Sequence, residues 1–365
     1  MRASAVSCFA GCALALALGV SGGACGQDGV TPTTASTATG TGGAGGMAGT
    51  GGGATGGGST GGDAPFPPTS GIRLIIEPDG QNGAELVSAI QNAQTSVHMT
   101  MYILSDSDVV DALIAQKSAG HDVKVVLDET LPSGSGSNFS VFNQLKSAGV
   151  EIVWAPPQFT YTHEKCVILD GTEAWIMTMN AAYSSPHDNR EYLAIDDIAA
   201  DVAEAEAVFE GDFTGQPLTS VDGPLLVAPL DAHAKLEALI QSAKTSIDLE
   251  AEELSDDQIV TDLITAKQAG VTVRIVLSDS PKSMAQQEAL NRVKAAQLQV
   301  VQLSNPYVHA KVLVVDATAA YVGSANFTYY SLESNRELGV LLAVPSEIQK
   351  IESTIADDLA NGTPL

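Results

Sequence analysis

The stretch AQTSVHMTMYILSDSDVVDALIAQKSAGHDVKVVLDE, beginning at Ala93, returns 150 residues later as AKTSIDLEAEELSDDQIVTDLITAKQAGVTVRIVLSD. A chain that carries one unit twice folds as two copies of it, so reading one copy constrains both. In each copy a helix ends near Ala93 or Ala243 and a strand follows. Val109, Val110, Leu113 and Ile114 then recur at helical spacing, matched by Ile259, Val260, Leu263 and Ile264. Gly120 and Gly270 are stop signals for those helices. VKVVL and VRIVL after them are short β-branched runs of the kind found in buried strands. Alternating strand, helix and strand predicts an α/β fold with a mixed, largely parallel sheet in each copy. Two such units pack as a pseudo-dimer. Their boundary falls near TGQPLTSVDGP (214–224), which predicts one domain over 73–218 and another over 219–365.

Ahead of the repeat the chain changes character. Residues 1–25 begin with Arg2, continue through an apolar run around Ala13–Val20 and end in small residues before Cys25, as an export signal does. The run is too short to span a bilayer as a mature helix. Gly22 to Cys25 resembles the lipobox of bacterial lipoproteins, which implies Cys25 as a lipid anchor and a chain either tethered at a membrane surface or secreted. Residues 26–72 are mainly Gly, Thr, Ser and Ala, a composition that predicts a flexible linker. Of four cysteines, only Cys166 belongs to the repeated region, which leaves no disulfide framework. By strand alternation it faces away from His163 and Lys165 and reads as core.

Charge narrows the partners. With 17 Lys and Arg against 43 Asp and Glu, the net charge of −26 repels polyanions, so a nucleic-acid partner is not expected.

The chemistry sits in HEKCVILD at His163 and HAKVLVVD at His309, the same three ionisable residues at the same spacing, 146 residues apart. Side chains alternate along a strand, so His163 projects with Lys165, and His309 with Lys311, while Asp170 and Asp316 point to the other face. Each copy thus offers an imidazole beside an ammonium, with the aspartate a structural anchor for backbone or loop. Lys is no metal ligand, which argues against a zinc site, and no metal or cofactor is expected. Further on, Thr178, Asn180 and Glu191 align with Ser324, Asn326 and Glu337 at the same offset. Weaker candidates are His187, read as a solvated loop residue, and His98, Thr100 and Tyr102, which share one strand face that could line a pocket.

These residues resemble the signature of the phospholipase D superfamily, His-x-Lys-(x)4-Asp-(x)6-Gly-Ser-x-Asn. The second copy matches every defined position. The first has Met177-Thr178 for Gly-Ser, which puts a large side chain where backbone is expected to approach substrate. The resemblance covers nearly all of 73–365 and implies two tandem α-β-α sandwich domains sharing one site, in a monomer with pseudo-twofold symmetry. It implies that His163 attacks phosphorus as nucleophile and His309 protonates the leaving alcohol, with Lys165, Lys311, Asn180 and Asn326 on the non-bridging oxygens. Glu191 and Glu337 are read as orienting the imidazoles. Thr178 and Ser324 support the site. The implied function is phospholipase D-type hydrolysis, or transfer, at a phospholipid headgroup bond. A cardiolipin-synthase-type phosphatidyltransferase, a nuclease of the same superfamily and a non-catalytic surface-binding protein are the alternatives.

Overall fold

The computed structural model describes residues 71–365 apart from 130, 132–136, 280 and 282. The expected export signal, Cys25 and all but the last two residues of the expected linker lie outside the described residues. Among the described residues no helix is long and apolar enough to cross a membrane.

The first half opens with β1 (Ile72–Glu77), α1 (Ala84–Asn92), β2 (Ser96–Met101), α2 (Ser107–Ala119), β3 (Asp122–Leu127), α3 (Phe139–Ser147) and β4 (Glu151–Trp154). It continues with β5 (Lys165–Leu169), β6 (Glu173–Met177), α4 (Ser184–Asp188), β7 (Asn189–Asp196) and α5 (Ala199–Phe213). The second half begins with β8 (Leu226–Ala228), α6 (Ala232–Ser242), β9 (Ser246–Ala251), α7 (Asp257–Gln268), β10 (Thr272–Ser278), α8 (Met284–Ala295) and β11 (Gln299–Leu303). After β12 (Tyr307–Val308) come β13 (Lys311–Val315), β14 (Ala319–Gly323), α9 (Tyr329–Glu333), β15 (Glu337–Leu342), α10 (Pro345–Asn361) and β16 (Thr363–Pro364).

Local chemistry sets the matched helices. Asp106 caps α2 by accepting from the Asp108 amide, and Asp256 caps α7 by accepting from Gln258 and Ile259. Gly120 closes α2 in the left-handed conformation, at φ +94°, that its missing Cβ permits.

Each half is a mixed sheet, ordered β1-β7-β6-β5-β2-β3-β4 and β16-β11-β10-β9-β13-β14-β15-β8. The expectation of largely parallel strands needs correcting. Within each half only β2-β3-β4 and β9-β10-β11 run parallel. The strands carrying the two motifs are hairpins, β5–β6 and β13–β14, turned at Asp170-Gly171 and Asp316-Ala317, where all four residues have φ between 52° and 62°. A turn that tight joins only antiparallel neighbours.

Alternation then divides the core into layers. On the outer face of the first sheet Val97, Met99, Val167 and Leu169 pack with Leu86 and Ile90 of α1 and Val109 and Leu113 of α2. The outer face of the second sheet packs likewise, Leu249 and Leu313 with Leu236 and Leu263. The inner layer belongs to both halves: Cys166, Ile168, Ile176, Val202 and Phe209 share one cluster with Val312, Val314, Val322, Ile351 and Ile355. Each fully buried aliphatic side chain contributes about 1.5–3 kcal/mol, so this layer outweighs any single polar contact between the halves.

Polar contacts instead set the register of one half on the other. Arg190 reaches Asp358 of α10 with Nε and Nη2, at 2.7 and 3.0 Å. Arg336 reaches Asp212 of α5 in the same bidentate way, at 2.8 and 3.1 Å. Both side chains of the Arg336–Asp212 pair are fully buried. Removing one member strands the other's charge, so Asp212→Ala should lower unfolding free energy by about 3–5 kcal/mol. The double variant Asp212→Leu/Arg336→Met should lose less than the single. Denaturant titration of the three proteins checks both statements.

Candidate active site

Each motif histidine lies just ahead of its strand, and the segment before it pairs with the other half. Tyr307 and Val308 run parallel to Asn189 and Arg190 of β7, and the His309 amide donates to Arg190 O. Thr162 bridges Arg336, and the His163 amide donates to Arg336 O at 2.9 Å. The two Asn-Arg-Glu segments therefore serve the opposite motif. Arginine locks to the other half's helix, and glutamate meets the other half's histidine. Glu337 takes the Nδ1 hydrogen of His163 at 3.0 Å, and Glu191 that of His309 at 2.8 Å.

With Nδ1 engaged by a carboxylate, Nε2 of each ring is left for chemistry. Both carboxylates are fully buried and further held: Glu191 by Thr178 Oγ1 at 2.5 Å and Asn189 Nδ2 at 3.1 Å, Glu337 by the Ser331 hydroxyl and by Asn335 Nδ2 at 3.2 Å. Burial alone would raise the Glu337 pKa, but His163 and Lys165 hold it below the ordinary carboxylate range.

One cavity of about 650 Å³ receives His163, His309, Asn180, Asn326, Tyr102 and Glu252 on its walls. The imidazoles are partly open, with side chains 13% and 12% exposed, as is Glu252 at 15%. Behind them Lys165 and Lys311 are buried, each donating to its own histidine's carbonyl, at 2.5 and 2.6 Å. Asn326 Oδ1 is buried and meets no hydrogen-bond donor among the described residues.

Thr178 and Ser324 stand behind the carboxylates, with hydroxyls on the Tyr192 and Leu338 amides. Asp170 and Asp316 lie away from the cavity. Asp170 accepts from the amides of Gln94, Thr95 and Ser96, and Asp316 from those of Lys244, Thr245 and Ser246, pinning the starts of β2 and β9.

Met177 does not crowd the site. It is buried in the outer core opposite Leu193 of β7. Its counterpart Gly323 is small for a packing reason: a Cβ there would come within 2.6 Å of Gly339 Cα and 2.7 Å of the Tyr321 hydroxyl. Trp175 replaces Tyr321 in the first half and Leu193 replaces Gly339, so the first copy fills that space differently.

Of the face expected to line a pocket, only Tyr102 does so. His98 sits at the far end of β2, bonded to Glu206 at 2.5 Å and stacked on Phe209, and Thr100 is buried. Glu206, Glu210 and His98 cluster closely, but Lys124 already occupies Glu210 at 2.7 Å. His187 lies in α4, stacked on Tyr183. Cys166 is buried in the inner core, and burial pushes its thiol pKa well up.

Glu252 is the wall residue that motif reading passes over. It accepts from Lys311 Nζ at 2.9 Å and from the Tyr307 hydroxyl at 2.8 Å, and lies 3.5 Å from His309 Nε2. Burial would raise its pKa, yet Lys311 and His309 hold it well below the usual range. The signal lay in aligning the copies, where Tyr102 faces Glu252 at the offset of 150.

The first half-site is the less charged. Tyr102 sets its ring edge-on to His163, centroids 4.6 Å apart, and under Lys165 Nζ at 5.2 Å. Burial, aided by the nearby ammoniums and opposed by Glu337, pulls the His163 pKa down to about 4, so its contact with Glu337 is a hydrogen bond from a neutral ring. Burial likewise pulls Lys165 down to about 7. A neutral His163 exists above the first value and a charged Lys165 below the second. The kcat/KM profile of the free enzyme should therefore rise through about pH 4 and fall through about pH 7, checked in overlapping buffers at constant ionic strength.

Fold and site together describe a two-lobed α/β protein in which imidazoles from both lobes face one cavity backed by ammonium groups. The chain belongs to the phospholipase D superfamily: residues 86–213 and 236–359 each match the family described as "Cardiolipin synthase, PLD-like domain". Among curated relatives, cardiolipin synthase 2 of Bacillus cereus is 25% identical over 336 residues, covering 78% of this chain and 64% of its own length. Cardiolipin synthase of Alkalihalophilus pseudofirmus is 24% identical over 334 residues, covering 77% and 65%. The chain thus spans just under two thirds of these relatives. Among solved structures, phosphatidylserine synthase of Haemophilus influenzae superposes with a TM-score of 0.62 at 13% identity, covering 80% of this chain and 87% of its own. Polyphosphate kinase of Porphyromonas gingivalis gives the same TM-score at 18% identity, covering 79% and 47%. At these identities the structural likeness concerns fold alone.

Proposed function

We propose that the protein is a phosphatidyltransferase of the cardiolipin-synthase type, passing a phosphatidyl group from one phospholipid alcohol to another through a phosphohistidine. The observation that carries this reading is the crossed pairing, which presents two Nε2 atoms to one cavity. His163 Nε2 attacks phosphorus while the bond to the leaving alcohol breaks, and that oxygen takes the proton of His309 Nε2. The incoming alcohol then gives its proton to His309 and displaces His163, breaking the P–N bond. Lys165, Lys311, Asn180 and Asn326 meet the non-bridging oxygens as charge builds on them. Binding an anionic diester favours the ammonium form of Lys165. Hydrolysis, the first expectation from sequence, uses the same steps with water as acceptor. The curated relatives favour transfer, since those described above are cardiolipin synthases.

The test uses the full chain with vesicles of phosphatidylglycerol, vesicles of phosphatidylcholine, and plasmid DNA, with and without chelator. Release of the headgroup alcohol together with a doubly phosphatidylated product supports transfer. Phosphatidic acid alone would point to hydrolysis. DNA cleavage without lipid turnover, or no turnover of any diester, would overturn the lipid reading.

A further inference from the structure

The half-sites match at each motif position that reaches the cavity, and differ just after β2 and β9, at Tyr102 against Glu252 and at Ile103 against Glu253. Tyr102 offers His163 an aromatic edge, whereas Glu252 offers His309 and Lys311 a carboxylate. We propose that Glu252 is a positioning residue that keeps the proton on His309 Nε2 and so gives the two matched imidazoles their order. The inference rests on the transfer reading above.

The groups facing His309 can be named element by element. Glu191 of β7 lies 2.8 Å from Nδ1. Glu252, just past β9, lies 3.5 Å from Nε2, and Lys311 of β13 donates to that same carboxylate. Tyr307 of β12 holds the other oxygen of Glu252. His309 therefore has a carboxylate at both ring nitrogens. His163 has one at Nδ1 alone, with an aromatic ring against it.

Charge balance points the same way. Glu191, Glu337 and Glu252 are the carboxylates at the imidazoles, and Glu253 lies on the same wall, against the two ammonium groups of Lys165 and Lys311. That excess of carboxylates favours an imidazolium among them. The ring with two carboxylates is the one that holds it. Lys311 still has a donor for phosphate, because an ammonium carries three hydrogens and the His309 carbonyl and Glu252 take two. Without Glu252, either ring could begin as nucleophile, and the leaving oxygen would often find no proton.

The test compares two diesters that differ only in the leaving alcohol, phosphatidylglycerol and phosphatidyl-p-nitrophenol, in the same detergent micelles with the full chain. An aryl oxide leaves without a proton, whereas an alkyl oxide needs one. Glu252→Gln should slow glycerol release by about 30-fold or more and p-nitrophenol release by less than about 3-fold. Glu252→Asp, which keeps the charge, should stay within about 5-fold of the unmodified protein on both. Equal losses on the two substrates would overturn the proposal, as would no loss on glycerol. The same selective loss in the aspartate variant would do so too, since shape rather than charge would then be at work. If the unmodified protein released neither alcohol, the transfer reading would fall and this inference with it.

Discussion

His163→Ala should lower phosphatidyl transfer by about 10⁴-fold or more and abolish any phosphoenzyme trapped by alkaline quenching. In the proposed reaction this ring forms the bond to phosphorus, and its burial, the largest influence on it, keeps it neutral down to about pH 4. Tyr102 beside it does not take over, because burial raises its pKa and it stays protonated. The fold should hardly notice. Glu337, which loses its imidazole, keeps Ser331 and Asn335 as donors. Turnover and unfolding temperature measured on the same preparation separate the two effects. A variant that kept a tenth of its activity, or still formed a phosphoenzyme, would show the nucleophile to lie elsewhere.

Glu337→Gln should come close to the same loss, about 10²–10⁴-fold in kcat with KM little changed, although the residue lies 174 positions away in the other lobe. Ser331 and Asn335 both donate to Oε1, so a glutamine would keep its oxygen on that side. Its amide nitrogen would then face His163 Nδ1, where a carboxylate oxygen stands 3.0 Å away. Two donors cannot share that contact, and the Oε1 left at 3.1 Å already takes Ser331 and Asn335. The tautomer with hydrogen on Nε2, which has no lone pair for phosphorus, is thereby favoured. A loss below about 3-fold would mean that the crossed pairing is architectural and not part of the chemistry.

Much of this was legible in sequence because it is local. Helical spacing at Val109 to Ile114, β-branched runs at VKVVL and VRIVL, and Gly120 as a stop each depend on a few neighbours along the chain. Alternation likewise separates Asp170 from His163 and Lys165 without further information. Other features were read differently because space, not sequence, decides them. Met177 looked like an intrusion on the site, but its size answers to Leu193 and Trp175 in the outer core. Strand direction divides for a related reason: the helix-linked strands run parallel, whereas the motif hairpins are antiparallel.

Spacing along the chain establishes that there are two copies, the helix and flanking strands they share, and the residues that carry imidazole, ammonium and amide groups. The pairing of Glu337 with His163 and of Glu191 with His309 comes from the fold. Either glutamate could have served its own lobe as far as spacing goes. The exchange follows from β12 pairing with β7, and from Arg190 and Arg336 gripping the opposite helices. Tertiary structure also put Glu252 on His309 and Tyr102 on His163, which makes two matching motifs unequal. Both outcomes depend on contacts between residues far apart in the chain, set by how two apolar sheet faces close on each other, and no spacing within either copy encodes that.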